Sequence, residues 1–279
     1  MQAPDIDSKV QALRAQLRTL PSALIAFSGG ADSAFLLKMA YAELGDRVLA
    51  LTAASPSLPA RELDGAIAFA RAVGARHEVV ESHEMDDPGY VRNAGDRCYY
   101  CKRELYALCA ARRDELGLAT ILDGFNADDR RDHRPGHQAA RERGVISPLA
   151  EANLTKDEIR THSRSLGLPT WDKPQSPCLS SRIPYGMQVT LERLRSIGDA
   201  EEELHRLGFR QVRVRHHADV ARLELSSEDF ERLRDPALRA RVDAALKACG
   251  FTFVAVDLEP FRTGRMNDLL APANPARES

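Results

Sequence analysis

The sequence predicts an α/β protein, a doubly wound parallel sheet followed by a smaller C-terminal α+β domain. Three observations carry that prediction. Short apolar runs at 23–27, 47–52, 77–80 and 120–123 alternate with stretches whose apolar residues recur at helical spacing, as in parallel strands joined by crossover helices. The first run passes directly into Ser28-Gly29-Gly30 and a helix start. Beyond Met187 the pattern changes to helix, two strictly alternating strands, helical stretches and a last strand. The expected division is therefore 1–186 and 187–279, and 279 residues suffice for two unequal cores.

Taken in order, Val10, Leu13, Leu17 and Leu20 form a short amphipathic helix that ends near Pro21. The stretch ALIAFSGGADS (23–33) comes next. A strand running through a glycine turn into a helix offers backbone N–H groups and the positive end of the helix dipole to an anion. Ser28 and Ser33 can add hydroxyl donors, and the glycines allow close backbone approach. An ordinary strand–turn–helix also suits Gly29-Gly30, but the spacing of Ser28, Asp32 and Ser33 favours the anion reading. No GK[ST] follows and no GxGxxG is present. The stretch is similar to the PP-loop of the N-type ATP pyrophosphatases, which split ATP between its α and β phosphates. The second run leads into TAASPSLP, at a strand's carboxyl end where doubly wound sheets hold ligands. In that family this loop borders adenine, which implies backbone contacts around Thr52 and Ala53. A helix over 61–73 and the third strand follow.

Cys98 and Cys101 form a CxxC pair at the start of a helix running through Leu105, Leu108 and Leu116. Two thiols so placed can share a metal, and the dipole lowers their pKa. Zinc would need two more ligands, and a thioredoxin-like pair belongs after the first strand of another fold. Half-buried packing beside Tyr99 and Tyr100 is an equally open reading. Cys109 follows the helix's apolar pattern and belongs to the core. After the fourth strand, Asp128, Asp129, Asp132, His133 and His137 have the look of a metal cluster. Interleaved Arg130, Arg131, Arg134 and Arg141 favour a charged, solvated loop instead. Asp123 and Asn126 are better placed to meet nucleotide or Mg²⁺. Thr155 with Glu158 is a capping box.

The stretch 167–186, GLPTWDKPQSPCLSSRIPYG, carries Pro169, Pro174, Pro177 and Pro184 and cannot be regular helix. Cys178 lies there among Ser180, Ser181 and Arg182, whose hydroxyls and charge favour a thiolate. Lone cysteines are commonly inert, yet a proline-framed polar loop favours a chemical role. In the C-terminal domain a helix over 191–207 precedes QVRVRH and VARLEL, a hairpin turning near Asp219. Alternation places Arg213 and Arg215 on one strand face, which suits phosphate or carboxylate. A solvated face paired to Glu224 is the competing reading. Cys249 ends a helix and is expected to be buried.

The formal net charge of −2 disfavours a nucleic-acid partner such as tRNA. The sequence has no apolar run of membrane-spanning length and no secretory hydrophobic stretch at its start, so a cytoplasmic protein is expected. Five cysteines in a reducing compartment point to thiol or metal chemistry.

Over nearly its whole length the chain resembles the LarE family, ATP-dependent sulfur transferases that help make the nickel-pincer nucleotide cofactor of lactate racemase. The motifs are SGGADS, RCYYCKRELY, DGFNADDRRDHRPG, LGLPTWDKPQSPCLSSRIPYG, RVRHH with ARLEL, and VDLEPFRTGRMN. The resemblance implies that a carboxylate of a pyridinium dicarboxylate mononucleotide attacks the α-phosphate of ATP, with Mg²⁺ offsetting charge and pyrophosphate leaving into the cradle of Ser28, Gly29, Gly30, Asp32 and Ser33. Cys178, at the family's sulfur-donor position, would displace AMP to give a thioester. Cleavage of its Cβ–S bond then leaves a thiocarboxylate on the substrate and dehydroalanine on the protein. Members with two further cysteines resemble iron–sulfur enzymes, in which three thiolates hold a [4Fe–4S] cluster that carries an extra sulfide. Cys98 and Cys101 with Cys178 match that second type. Arg213, Arg215, Arg182 and Arg262 are the residues expected to hold substrate phosphate. The resemblance also implies a homo-oligomer and, as partners, other proteins of nickel-pincer cofactor synthesis. A PP-loop tRNA thiolase and an ammonia-using synthetase that would not need Cys178 are the rival enzymes.

Overall fold

The computed structural model describes residues 6–131 and 135–262. In chain order the elements are α1 (Ile6–Arg18), β1 (Ala23–Ala26), α2 (Ala31–Leu44), β2 (Val48–Ala54), α3 (Ala60–Val73), β3 (Arg76–Glu81), α4 (Pro88–Val91), α5 (Arg97–Glu115), β4 (Thr120–Leu122), α6 (Pro135–Glu142), α7 (Pro148–Glu151), α8 (Lys156–Ser165), α9 (Leu191–Arg206), β5 (Val212–His217), β6 (Val220–Leu225), α10 (Ser227–Arg232), α11 (Pro236–Ala248) and β7 (Phe253–Val256). They form two compact units. One comprises 6–87 and 96–176, the other Pro88–Gly95 together with the chain from Pro177 onward.

The first unit holds a parallel sheet in the order β3-β2-β1-β4. Its central strands β1 and β2 are apolar because both faces are covered, whereas the edge strand β3 (RHEVVE) is polar and partly exposed. Ala23, Ile25, Val48 and Ala50 pack with α1, α2 and α3 on one side. Leu24, Leu49, Leu51 and Ile121 face Cys109 of α5 on the other. The chain steps from β1 through β2 to β3 and then returns to place β4 on the far side of β1. The topological switch point, where doubly wound sheets hold ligands, thus lies between the carboxyl ends of β1 and β4. Those two ends carry the glycine turn and the GFN loop. Thr155 and Glu158 make the expected capping box at the start of α8.

The second unit is a three-stranded sheet in the order β5-β6-β7. β5 and β6 form the expected antiparallel hairpin, and β7 joins β6 in parallel. Val212, Val214, Leu223 and Leu225 pack against Leu204 of α9 and Val242 and Leu246 of α11. Cys249 caps α11 and is half-buried, where burial was expected, because it stands at the helix's last turn. Pro88–Gly95 belongs with this unit although the chain before and after it belongs to the other.

Candidate active site

In the first unit the turn is fixed by what surrounds it. The N–H of Phe27 extends the β1 pairing to Leu51 O (2.8 Å), after which Gly29 reverses the chain at φ +68°. A Cβ at Gly29 would lie 2.8 Å from Ala66 Cβ on α3, so both the dihedral and the space require glycine. Gly30 caps α2 in extended conformation and, lacking a side chain, gives the first amides of the helix no side-chain cap. The first amides of α2 therefore point outward at the positive end of the dipole. Ser33 Oγ donates to Gly30 O (3.2 Å) and lies 3.1 Å from Ser28 Oγ. Ser28 is exposed and Ser33 is buried.

Two lysines attend this turn. Lys173 Nζ donates to Gly29 O at 2.9 Å and pairs with Glu62 at 2.8 Å. Lys156 Nζ meets Asp32 Oδ2 at 2.5 Å, while Asp32 Oδ1 is buried with no hydrogen-bond partner. Burial pushes the Asp32 carboxyl above its usual range against the pull of Lys156, and the Asp129 charge adds to the rise. A carboxylate held with an unsatisfied oxygen beside an anion cradle is suited to a cation.

The β4 loop closes on the same turn. A Cβ at Gly124 would stand 3.0 Å from the Ser33 nitrogen, so this loop and the start of α2 touch backbone to backbone. Asp123 is buried, and its oxygens accept from Tyr106 Oη (2.9 Å) and Ser147 Oγ (2.7 Å). Burial and the Asp123 charge hold the Tyr106 hydroxyl above its ordinary pKa. Asn126 Oδ1 accepts the amides of Asp128 (2.9 Å) and Asp129 (3.3 Å), winding the loop on itself. Both residues expected to meet nucleotide thus shape this loop with their own side chains. Thr52 does likewise, donating to Phe27 O at 2.8 Å, and Ala53 beside it is half-buried. Asp128 and Arg130 are exposed, as a solvated loop requires. Asp132, His133 and Arg134 lie outside the described residues, as does the side chain of Arg131. His137 stacks on Phe125 with centroids 4.0 Å apart, and burial lowers its pKa.

Cys98 and Cys101 occupy the first turn and a half of α5, behind Asp96 at its N-cap. Cys98 is exposed and Cys101 half-buried, and a spacing of three puts both on one helix face. Two soft, accessible donors on one face suit a thiophilic metal centre. Among the described residues, no three Cys, His, Asp or Glu side chains gather as a metal site.

Cys178 is half-buried in the second unit, one residue before a single 3₁₀ turn. The neighbouring cation does not face its sulfur. Arg182 Nη1 donates to Pro177 O (2.6 Å) and Cys178 O (3.2 Å), while its other nitrogens grip Glu201 at 2.9 and 3.0 Å. Arg182 therefore braces the loop backbone. Arg215 is 1% exposed and donates to Ser181 O (2.6 Å) and Glu224 Oε2 (2.7 Å). The Arg213–Arg215 face is thus buried rather than solvated, because the Cys178 loop covers it.

Arg213 differs from the other two. It is 5% exposed and lies over the Phe261 ring at 4.5 Å, and its Nη2 has no hydrogen-bond partner. Among the described residues no carboxylate pairs with it. Burial, then the charges of Arg182 and Arg215, pull its pKa down to about 10. A buried cation without a counter-ion is costly unless an anion arrives. Arg262 is exposed at the end of the described chain.

No protein-family model matches the chain. Pyridinium-3,5-bisthiocarboxylic acid mononucleotide synthase of Lactiplantibacillus plantarum is 38% identical over 270 residues, 95% of this chain and 96% of the relative. The chain belongs to the LarE family. This LarE-family chain is also 45% identical to an uncharacterised protein of Synechocystis over 95% of its length and 99% of the relative. An uncharacterised protein of Methanocaldococcus jannaschii is 26% identical over 86% of the chain and 90% of the relative. Within this LarE-family fold the first unit gathers Ser28, Gly29, Gly30, Asp32 and Ser33, and the second gathers Cys178, Arg182, Arg213 and Arg215. Sequence reasoning missed Lys156, Lys173 and Glu201. Lys156 sits inside a capping motif and Lys173 between prolines, so each had a structural explanation ready to hand. Glu201 had no signal beyond its place on α9.

Proposed function

We propose that the chain is an ATP-dependent sulfur transferase that converts a carboxylate of a pyridinium-3,5-dicarboxylate mononucleotide to a thiocarboxylate. The substrate class rests on the named synthase it resembles at 38% identity. The observation that carries the chemistry is the uncapped start of α2 behind Gly29, at the switch point of a parallel sheet. Amides there, with the Ser28 hydroxyl and Lys173, suit the leaving pyrophosphate. Asp32, with one oxygen unsatisfied, suits the accompanying Mg²⁺. A substrate carboxylate oxygen attacks the α-phosphorus, the bond to the β-phosphate oxygen breaks, and an acyl adenylate forms. That mixed anhydride is an electrophile the carboxylate itself is not. Hydrosulfide sulfur then takes the place of AMP at the acyl carbon, giving thiocarboxylate, AMP and a proton.

Arg213, whose Nη2 has no hydrogen-bond partner, supports binding of the nucleotide's phosphate, with Arg215 beside it. Arg182 serves by holding the Cys178 backbone. Cys98, Cys101 and Cys178 are the residues that would hold a [4Fe–4S] cluster, which when bound supplies an open iron for sulfide. The accessible pair on α5 favours this form over sacrificial donation from Cys178 alone.

The direct test is pyrophosphate release with purified protein, ATP and the pyridinium dicarboxylate mononucleotide. Release should require that substrate, and Cys178→Ala should retain it while losing thiocarboxylate. Release without substrate, or thiocarboxylate from Cys178→Ala, would overturn the reading.

A further inference from the structure

Cys178 lies in a stretch with almost no regular secondary structure, yet its backbone is not loose. A buried irregular loop must find partners for its own polar groups. Arg182 serves Pro177 O and Cys178 O at the start of the loop. The return is served by a different part of the chain, some ninety residues earlier in sequence.

Asn93 is fully buried and stands at φ +55°, in the left-handed region that asparagine tolerates better than most residues. Its Nδ2 donates to Pro184 O (2.8 Å) and Met187 O (2.8 Å), with Ile183 O at 3.3 Å. Its own carbonyl accepts from Gly186 N (3.0 Å), and Val91 O accepts from Val189 N (2.9 Å). Three residues upstream, the buried Tyr90 hydroxyl lies 2.5 Å from Ser180 Oγ, two residues past Cys178. One short segment thus bonds the cysteine loop at both ends. Five positions after Asn93 the same chain reaches Cys98.

We infer that Pro88–Gly95 is a strap that positions the sulfur-bearing loop, with Asn93 a positioning residue for Cys178. The strap immediately precedes the CxxC helix in the sequence. The inference rests on the proposed sulfur transfer for its consequence, and on the hydrogen bonds alone for the placement of the loop.

The test uses the full-length protein and two variants. Asn93→Gly keeps the backbone conformation and removes the amide donors, and Tyr90→Phe removes only the hydroxyl contact. Iodoacetamide alkylation of Cys178, followed by peptide mass, should accelerate about tenfold in the first and about threefold in the second, as expected for a loop that has lost one end of its bonding. Alkylation of exposed Cys98 should not change. In turnover, thiocarboxylate formed per pyrophosphate should fall about fivefold while the KM for ATP stays constant, since adenylation proceeds but the thiol is misplaced. Cys178 rates within twofold of the parent in Tyr90→Phe, or in a folded Asn93→Gly, would overturn the strap. A parent protein that releases no pyrophosphate would sink the sulfur-transfer reading and leave the alkylation result to decide the strap.

Discussion

At the scale of single residues, three positions cost the fold something, and the proposed function gives each a ligand. Gly29 is one. Gly29→Ala forces a Cβ into Ala66 at a left-handed dihedral, and the expected cost is about 1–3 kcal/mol together with loss of pyrophosphate release. Urea denaturation and the pyrophosphate assay check it. Asp32 is the second. Its carboxyl titrates above the usual range in the fold, so the folded state holds a proton more readily than the unfolded chain. Stability from this group is therefore gained as pH falls through the folded value toward the unfolded one near 3.8, and is absent at neutral pH. Asp32→Asn should stabilise the protein by about 1 kcal/mol at pH 7, and the advantage should shrink as pH approaches 4, while activity is lost. Equal midpoints for parent and variant at pH 7 would contradict that sign. Arg213 is the third, a buried charge that makes no ion pair among the described residues although Glu224 stands opposite it across the hairpin. Arg213→Met should leave stability within about 1 kcal/mol of the parent but raise the substrate KM tenfold or more.

At the scale of elements, the contrast between Arg213 and Arg215 is instructive. Both stand on β5 with the same alternation, but Arg215 has Glu224 at 2.7 Å and both partners are buried. Arg215→Met leaves the buried Glu224 with only the partly exposed Arg222 at 3.1 Å, and the expected loss is about 1–3 kcal/mol, visible as a lowered denaturation midpoint before any assay of function. Alternation reveals which side chains share a face. It does not reveal what covers that face, which is why QVRVRH reads both as a solvated strand face and as one that binds phosphate or carboxylate. The glycine turn was legible for the opposite reason. Its meaning is local, written in contiguous residues whose dihedrals and donors depend little on the rest of the chain. The strap from Pro88 to Gly95 lay at the other extreme. Asn93 bonds residues ninety positions away, and nothing in VRNAG distinguishes it from an ordinary surface turn. Lys173 was hidden in a similar way, since its partner Gly29 is 144 positions distant.

At the scale of the molecule, the two units divide the residues of the proposed chemistry. The first carries the glycine turn and the CxxC pair, and the second carries Cys178 and the arginines. In the proposed cluster, iron binding requires the CxxC pair on α5. Anaerobic reconstitution should give about four irons per chain in the parent protein. Cys98→Ala and Cys101→Ala should each lose most of it without a change in folding. Retention of full iron by either variant would remove α5 from the cluster. No described helix is long and apolar enough to cross a membrane.

The central claim is that sulfur reaches an acyl group activated by ATP, and that Cys178 survives the transfer. Intact mass of the reconstituted protein, recorded before and after incubation with ATP, sulfide and the pyridinium dicarboxylate mononucleotide, tests it most directly. An unchanged protein mass accompanied by several thiocarboxylates per chain is the predicted result. A protein lighter by one H₂S after a single turnover, or pyrophosphate formed with no sulfur in the product, would contradict it.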